Sequence, residues 1–145
     1  MAMTPEQVAA YQAAQQQLIA EIREHGHAVS GMYAGRQACL LLTIGAKSGA
    51  ERVAPLAYST DGDRFIVTAS KGGAPTHPAW FHNLQARPEA IVEVGLRRIP
   101  VRASVAEGEE RSRLWDRHVA VHPRIGEYPA RTTRVIPVVV LTPVD

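Results

Sequence analysis

The sequence predicts an α+β domain in which an antiparallel sheet of about six strands closes into a small barrel, with an N-terminal helix and flanking helices. Three observations lead there. Short β-branched and aliphatic runs recur with turn residues between them. Little helix separates them, so the strand–helix alternation of a parallel sheet is missing. No G-x-G-x-x-G or G-x-x-x-x-G-K-[ST] pattern marks a dinucleotide or P-loop fold. At 145 residues, 46% hydrophobic and 21% charged, the chain reads as one folded domain whose core needs neither disulfide nor metal.

Taken in order, Thr4 caps and Pro5 starts a helix running to about His25. Val8, Tyr11, Gln15, Leu18, Ile19 and Ile22 recur on it at near-helical spacing. Gly26, Gly31 and Gly35 break the period, so residues 1–37 form a helix plus linker and residues 38–145 the barrel. Strands are predicted at 38–45, 52–60 and 64–70, the last entered through an Asp61-Gly62 hairpin. A short helix follows over 78–86, between Pro78 and Pro88, then strands at 90–95 and 97–105. Pro100 places the latter at an edge or a bulge. A helix over 108–121 turns Leu114, Trp115, His118, Val119 and Val121 inward, and residues 135–144 form the closing strand.

Composition narrows the chemistry. Cys39 is the only cysteine and sits among alanine and leucine, which excludes an internal disulfide and suggests a small buried thiol. The N-terminus has no secretory pattern and no apolar run is long enough to span a bilayer, so a cytoplasmic protein is expected. A net charge of +2 suits an anionic small ligand, an acidic membrane surface or nucleic acid. Aromatics at 6% on largely aliphatic strands speak against nucleic acid. His118 and His122 stand four apart, a spacing that can serve a metal, yet no adjacent glutamate or nearby third ligand completes a site. No serine lies in a G-x-S-x-G turn, so nothing supports a hydrolase triad.

Two turns carry the positive reading. "GAKSGAERVAPL" (45–56) offers backbone N–H groups, the Ser48 hydroxyl and the cations Lys47 and Arg52 to an anion. "SKGG" (70–73) repeats the idea with Ser70, Lys71 and two glycines. Beside it "HPAWFHN" brings Trp80, Phe81, His77, His82 and Asn83, so that anion clamps stand next to flat faces, as a phosphorylated ring cofactor requires. Trp80 can equally pack the short helix onto the barrel. Between prolines, Tyr128 reads either as part of a connector or as a polar group on a wall that closes over a ligand.

"GAKSGAERVAPL", "ASKGGAPTHPAWFHNL", "PEAIVEVG" and "YPARTTRVIPVVVL" together resemble the deazaflavin-dependent nitroreductases, also described as F420-dependent quinone reductases, from about residue 18 to the C-terminus. The resemblance implies a split β-barrel, coenzyme F420 as hydride donor and an electron-poor small-molecule acceptor: a quinone, a nitroaromatic, or an enone or lactone. It implies that Lys47, Ser48 and Arg52 bind the cofactor's phosphate and acidic tail, with Val53, Pro55 and Leu56 alongside. Thr68, Ala69, Ser70 and Lys71 would meet the ring edge, and Ala79, Trp80, Phe81, His82 and Asn83 the opposite wall. Ser70 and Tyr128 match the positions expected to orient the acceptor and supply a proton, with Ala57 and Ile125 lining the acceptor pocket. The family commonly has an arginine where this chain has Ala46, and some members carry tyrosines where this chain has Ala57, His122 and Ile125.

A flavin mononucleotide enzyme on the same barrel and a non-catalytic carrier of the cofactor are the competing readings. The partially apolar N-terminal helix adds an expectation of weak peripheral contact with the inner face of a membrane. Oligomeric state is left open.

Overall fold

The computed structural model describes residues 4–27, 34 and 37–144. Helix α1 (Pro5–His25) starts in a capping box: Thr4 Oγ1 accepts from the Gln7 N–H at 3.1 Å and Gln7 Oε1 accepts from the Thr4 N–H at 2.8 Å. It stops at Gly26, whose φ of 80° lets its N–H close onto the Ile22 carbonyl. Of the predicted stripe, only Ile19 and Ile22 are buried, packing with Leu18 on Leu40, Leu42, Val53 and Ile91. Val8 and Tyr11 are exposed, because the helix meets the sheet only through its C-terminal half. Most of the predicted linker lies outside the described residues.

Seven strands, not six, build one antiparallel sheet: β1 (Ala38–Ile44), β2 (Glu51–Ala57), β3 (Ser59–Asp61), β4 (Arg64–Thr68), β5 (Glu89–Val94), β6 (Arg97–Val105) and β7 (Val138–Pro143). Their order is β2-β1-β5-β6-β7-β4-β3. The strand predicted over 52–60 breaks at Tyr58 because its halves serve opposite edges of the sheet, β2 beside β1 and β3 beside β4. Consecutive residues can occupy both edges only if the sheet curls until the edges meet, so Tyr58 marks the seam of a split barrel. Pro55 lies on the edge strand β2, where its missing donor does no harm. Pro100 departs from expectation: β6 is an interior strand, and the proline sits where pairing with β7 has run out. There Val144 donates to the Pro100 carbonyl at 3.0 Å, using the group that proline retains.

Alternation sorts the side chains. Leu41, Val67, Val92, Val101 and Leu141 fill the barrel, and Trp80, Phe81 and Leu84 of α2 (Ala79–Ala86) join them there. On the outer face, Leu40 and Leu42 meet α1 while Ile66, Val138 and Val140 meet Leu114 of α3 (Gly108–Val121). Strands β1, β4 and β7 are therefore covered on both faces, which is why they read as unbroken apolar runs. Cys39 is wholly buried and burial pushes its thiol up to about 12, so it is inert at neutral pH. No helix among the described residues is long and apolar enough to cross a membrane.

Within α3, Leu114 and His118 are buried, Trp115 and Val119 half-buried, and Val121, predicted to face inward, is exposed. The helix is tied to the β3–β4 hairpin through Asp61, which accepts two bonds from Arg113 at 3.1 Å each and another from Arg64. Bonds from Arg113 first, then Arg64, hold that carboxyl well below the usual range. The four-residue histidine spacing brings the rings of His118 and His122 within 5.1 Å of each other, but inside the core. His118 Nδ1 shares a 2.7 Å hydrogen bond with Ser59 Oγ, and His122 Nε2 donates to the Tyr58 carbonyl at 2.8 Å. Both rings thus fasten α3 to the barrel seam, and among the described residues no three metal-ligating side chains gather.

Burial, then His122, lowers His118 from 6.5 to about 4. An unfolded His118 takes up its proton near pH 6.5 and the folded one only near 4, so the unfolded state binds more protons between those values. Stability is expected to be level above that window and to fall by up to about 1.4 kcal/mol per pH unit as pH drops through it. Urea unfolding across the window measures the slope, and His118→Asn is expected to flatten it.

Candidate functional site

The β1–β2 turn is closed by bonds from the Gly45 N–H to the Ala50 carbonyl at 2.7 Å and from the Gly49 N–H to the Gly45 carbonyl at 2.9 Å. A Cβ at Gly45 would start 2.6 Å from Ser48 Oγ and 3.3 Å from the Ala50 carbonyl, so a larger residue there would push the Ser48 hydroxyl out of the turn. Ser48 Oγ accepts from the Ala50 N–H at 3.2 Å and from Arg52 Nη2 at 3.5 Å, while Lys47 and Arg52 are exposed. Asn83, buried on α2, holds the turn in place. It accepts from the Ala46 N–H at 3.0 Å and donates to Thr43 Oγ1 at 3.1 Å. Its amide is spent on positioning that turn.

The second turn follows β4. Ser70 adopts a right-handed conformation, and Lys71, Gly72 and Gly73 then take φ of 47°, 64° and 82°. A right-handed residue followed by a left-handed one aims successive N–H groups toward one point, the backbone geometry of an anion site. Gly73 is required: a Cβ there would lie 2.8 Å from Arg131 Cβ and 2.9 Å from the Tyr128 carbonyl. Thr68 Oγ1 donates to Ser70 Oγ at 3.4 Å, Ala69 is wholly buried, and Lys71 Nζ donates to Thr76 Oγ1 at 3.3 Å.

Arg134 underlies this turn and was not among the predicted site residues. Its Nε donates to the Ala74 carbonyl at 2.8 Å, Nη2 to the Ser70 carbonyl at 2.7 Å, and Nη1 to the Ala69 carbonyl and His77 Nδ1, each at 3.0 Å. No spacing rule links position 134 to positions 69–77; the one signal is an arginine just ahead of an apolar strand. Since Nδ1 of His77 accepts, its proton resides on Nε2. Burial first, then Arg134 and His82, holds the ring's pKa down.

A 3-10 segment over Pro123–Arg131 forms the adjoining wall. Ile125, Tyr128 and Ile136 cluster there with Ala57, so three of the four predicted acceptor-side residues, Ala57, Ile125 and Tyr128, come together, while Ser70 lies on the second turn. Tyr128 is packed rather than open, 9% exposed with the Arg131 guanidinium 5.4 Å above its ring. His122 faces the seam, where its Nε2 donates to the Tyr58 carbonyl. Of the predicted site residues on α2, Trp80, Phe81 and Asn83 are buried and Ala79 and His82 are exposed. The helix therefore offers the site its surface, with the aromatic rings behind. Val53 and Leu56 are half-buried and Pro55 buried along β2.

Both turns carry cations without carboxylate partners. Arg23, Arg64, Arg98, Arg102 and Arg113 all pair with carboxylates. Among the described residues, Lys47, Arg52 and Lys71 have no such partner, and neither have exposed arginines such as Arg87, Arg97, Arg124 and Arg131, so the turns are marked by cations on glycine-shaped backbone rather than by charge alone. Two turns joined by α2, each with uncompensated cations and glycine-shaped backbone, suit a ligand bearing several negative charges on one extended body.

The curled antiparallel sheet places the protein in the split-barrel class. The chain belongs to the F420H(2)-dependent quinone reductase family, which it matches over residues 14–143. It is 40% identical over 120 residues to an F420H(2)-dependent quinone reductase of Mycobacterium tuberculosis, covering 81% of this chain and 78% of that one. A solved F420-H2 dependent reductase, FDR-A, superposes with a TM-score of 0.68 at 39% identity, over 73% of this chain and 94% of its own. A second solved structure, described as a domain-swapped dimer, gives 0.70 at 33% identity over 91% and 98%.

The two glycines of the second turn are expected to differ. Gly72 has open space around its absent Cβ, so Gly72→Ala should cost only the left-handed backbone term of roughly 1–2 kcal/mol. Gly73→Ala adds a clash with backbone and should cost roughly 3 kcal/mol or more. Denaturant midpoints of the two variants give the comparison.

Proposed function

We propose that this chain is an F420H2-dependent oxidoreductase that reduces a flat, electron-poor acceptor of the quinone class. The observation that carries this reading is the set of unpaired cations, Lys47, Arg52 and Lys71, on glycine-shaped turns anchored to one helix. The donor set fits the cofactor, whose phosphate and carboxylate tail need several cations and N–H groups and whose ring needs an apolar ledge.

Lys47, Ser48 and Arg52 hold the phosphate and tail, with Val53, Pro55 and Leu56 flanking them. Thr68, Ala69, Ser70 and Lys71 border the ring edge through backbone N–H groups and the Ser70 hydroxyl. Ala79 and His82 face the ligand from α2, kept in place by Trp80, Phe81 and Asn83. When bound, reduced F420 supplies the hydride. The chain's own part is orientation and exclusion of water. Ala57 and Ile125 give the acceptor an apolar bed, Ser70 Oγ and Tyr128 orient its oxygen, and the proton completing reduction is relayed through one of these hydroxyls. Cys39 has no role in this chemistry.

The setting we propose is cytoplasmic, with weak peripheral contact at a membrane surface. The exposed first turns of α1, with Val8 and Tyr11, support that contact. Co-sedimentation with anionic liposomes tests it, and no binding at low salt removes it.

Fluorescence titration with F420 and, in parallel, flavin mononucleotide tests the main reading. F420 is expected to bind in the micromolar range or tighter, with Lys47→Ala and Arg52→Ala each weakening it on the order of tenfold, the value of one charged hydrogen-bonding contact. Ser70→Ala should lower kcat for quinone by a larger factor than it weakens F420 binding. Preference for flavin mononucleotide overturns the cofactor assignment; F420 binding without turnover of any quinone, nitro or enone acceptor indicates a carrier.

A further inference from the structure

We propose that Arg134 is a positioning residue for the cofactor site: it gives the Ser70–Gly73 turn its ligand-holding shape and fixes the His77 proton on Nε2. The assignment rests on the F420 reading for its consequence and on geometry for its mechanism.

One planar guanidinium takes acceptors on both sides of the turn, the carbonyls of Ala69 and Ser70 before it and of Ala74 after it. The Ser70 carbonyl also accepts from the Gly73 N–H at 2.9 Å, so two donors fix that peptide. Carbonyls gathered onto a cation on one side leave the turn's remaining N–H groups to serve the other side, which is what an anion cradle needs. The shape is not one the chain adopts by itself. Lys71 sits at a φ of 47°, a region that side chains other than glycine seldom occupy unless the surroundings over-determine them. Arg134 and the close fit of Gly73 against Tyr128 and Arg131 are those surroundings.

Through His77 the same guanidinium reaches α2. His77 packs 4.9 Å from the Phe81 ring and 5.9 Å from His82, centroid to centroid, so Arg134 aligns the turn with the helix that anchors the β1–β2 turn. With Nδ1 occupied, His77 presents a neutral N–H donor at Nε2. Lysine cannot reproduce this: three directions in one plane, four acceptors and a fixed fork are properties of guanidinium. Among the described residues Arg134 has no carboxylate partner, and its charge adds to that of Lys71.

The test uses the full-length protein and the variants Arg134→Lys and His77→Leu, with two readouts. Without ligand, amide hydrogen exchange over residues 70–77 is expected to accelerate at least tenfold in Arg134→Lys while the strand amides keep their protection, and the nitrogen shifts of His77 should lose the signature of a single tautomer. With ligand, F420 affinity is expected to fall about ten- to a hundredfold in Arg134→Lys, with KM for the quinone unchanged. His77→Leu should show a smaller loss, since the turn keeps its three carbonyl bonds.

Unchanged exchange over 70–77, or faster exchange with unchanged F420 affinity, overturns the assignment. So does loss of cooperative unfolding in Arg134→Lys, which would make Arg134 a residue of the fold. If the wild-type chain fails to bind F420 while the exchange effect is present, the cofactor reading falls and the positioning of the turn stands.

Discussion

The structure depends on a constraint at three consecutive residues. Ala57 ends the strand at one edge of the sheet, Ser59 begins the strand at the other, and Tyr58 spans the gap. A seven-stranded sheet whose outermost strands are one residue apart in the chain cannot lie flat. The curl brings Tyr58 within 5.8 Å of Phe65, ring to ring, and sets up the position that His122 and Ser59 use to fasten α3. Every loop that carries chemistry sits where that curl puts it.

The site is assembled by polar fastening rather than by apolar packing. Asn83 holds one turn to α2 and Arg134 holds the other, and both do so with side-chain bonds to backbone groups. Lys47, Arg52 and Lys71 have no carboxylate partner among the described residues, whereas Arg23, Arg64, Arg98, Arg102 and Arg113 are paired with Glu93, Asp61 and Glu89. Cations held without partners raise the local potential and favour an anionic ligand. A backbone held by neighbouring donors keeps its shape before the ligand arrives, so less ordering is left for the binding step.

Much of the fold was legible. Hydrophobic period and turn residues placed both long helices, the short α2 and most strands, because those signals are local. The break at Tyr58 was not legible, since nothing in "RVAPLAYST" distinguishes one strand from two that serve opposite edges. Pro100 misled for the same reason: proline's missing donor matters only against a neighbour, and which neighbour is present depends on topology. For the site, the two basic glycine turns were visible as motifs. The core placement of Trp80 and Phe81 and the use of Asn83 as a fastener were not, because helical phase relative to the barrel is set by packing.

The sequence by itself determined much of the chemistry on offer: one cysteine within an apolar run and two cationic turns beside a short helix. It also carried the family's blocks in order, which is a property of the linear chain. Tertiary structure decided which of those residues face a ligand and which hold the others in position. Arg134 shows the difference, lying about sixty residues from the turn that it shapes, and its role exists only because strand β7 returns beside β4. Local rules end at the reach of a helix turn or a hairpin, whereas a guanidinium's partners are chosen by where the chain comes back.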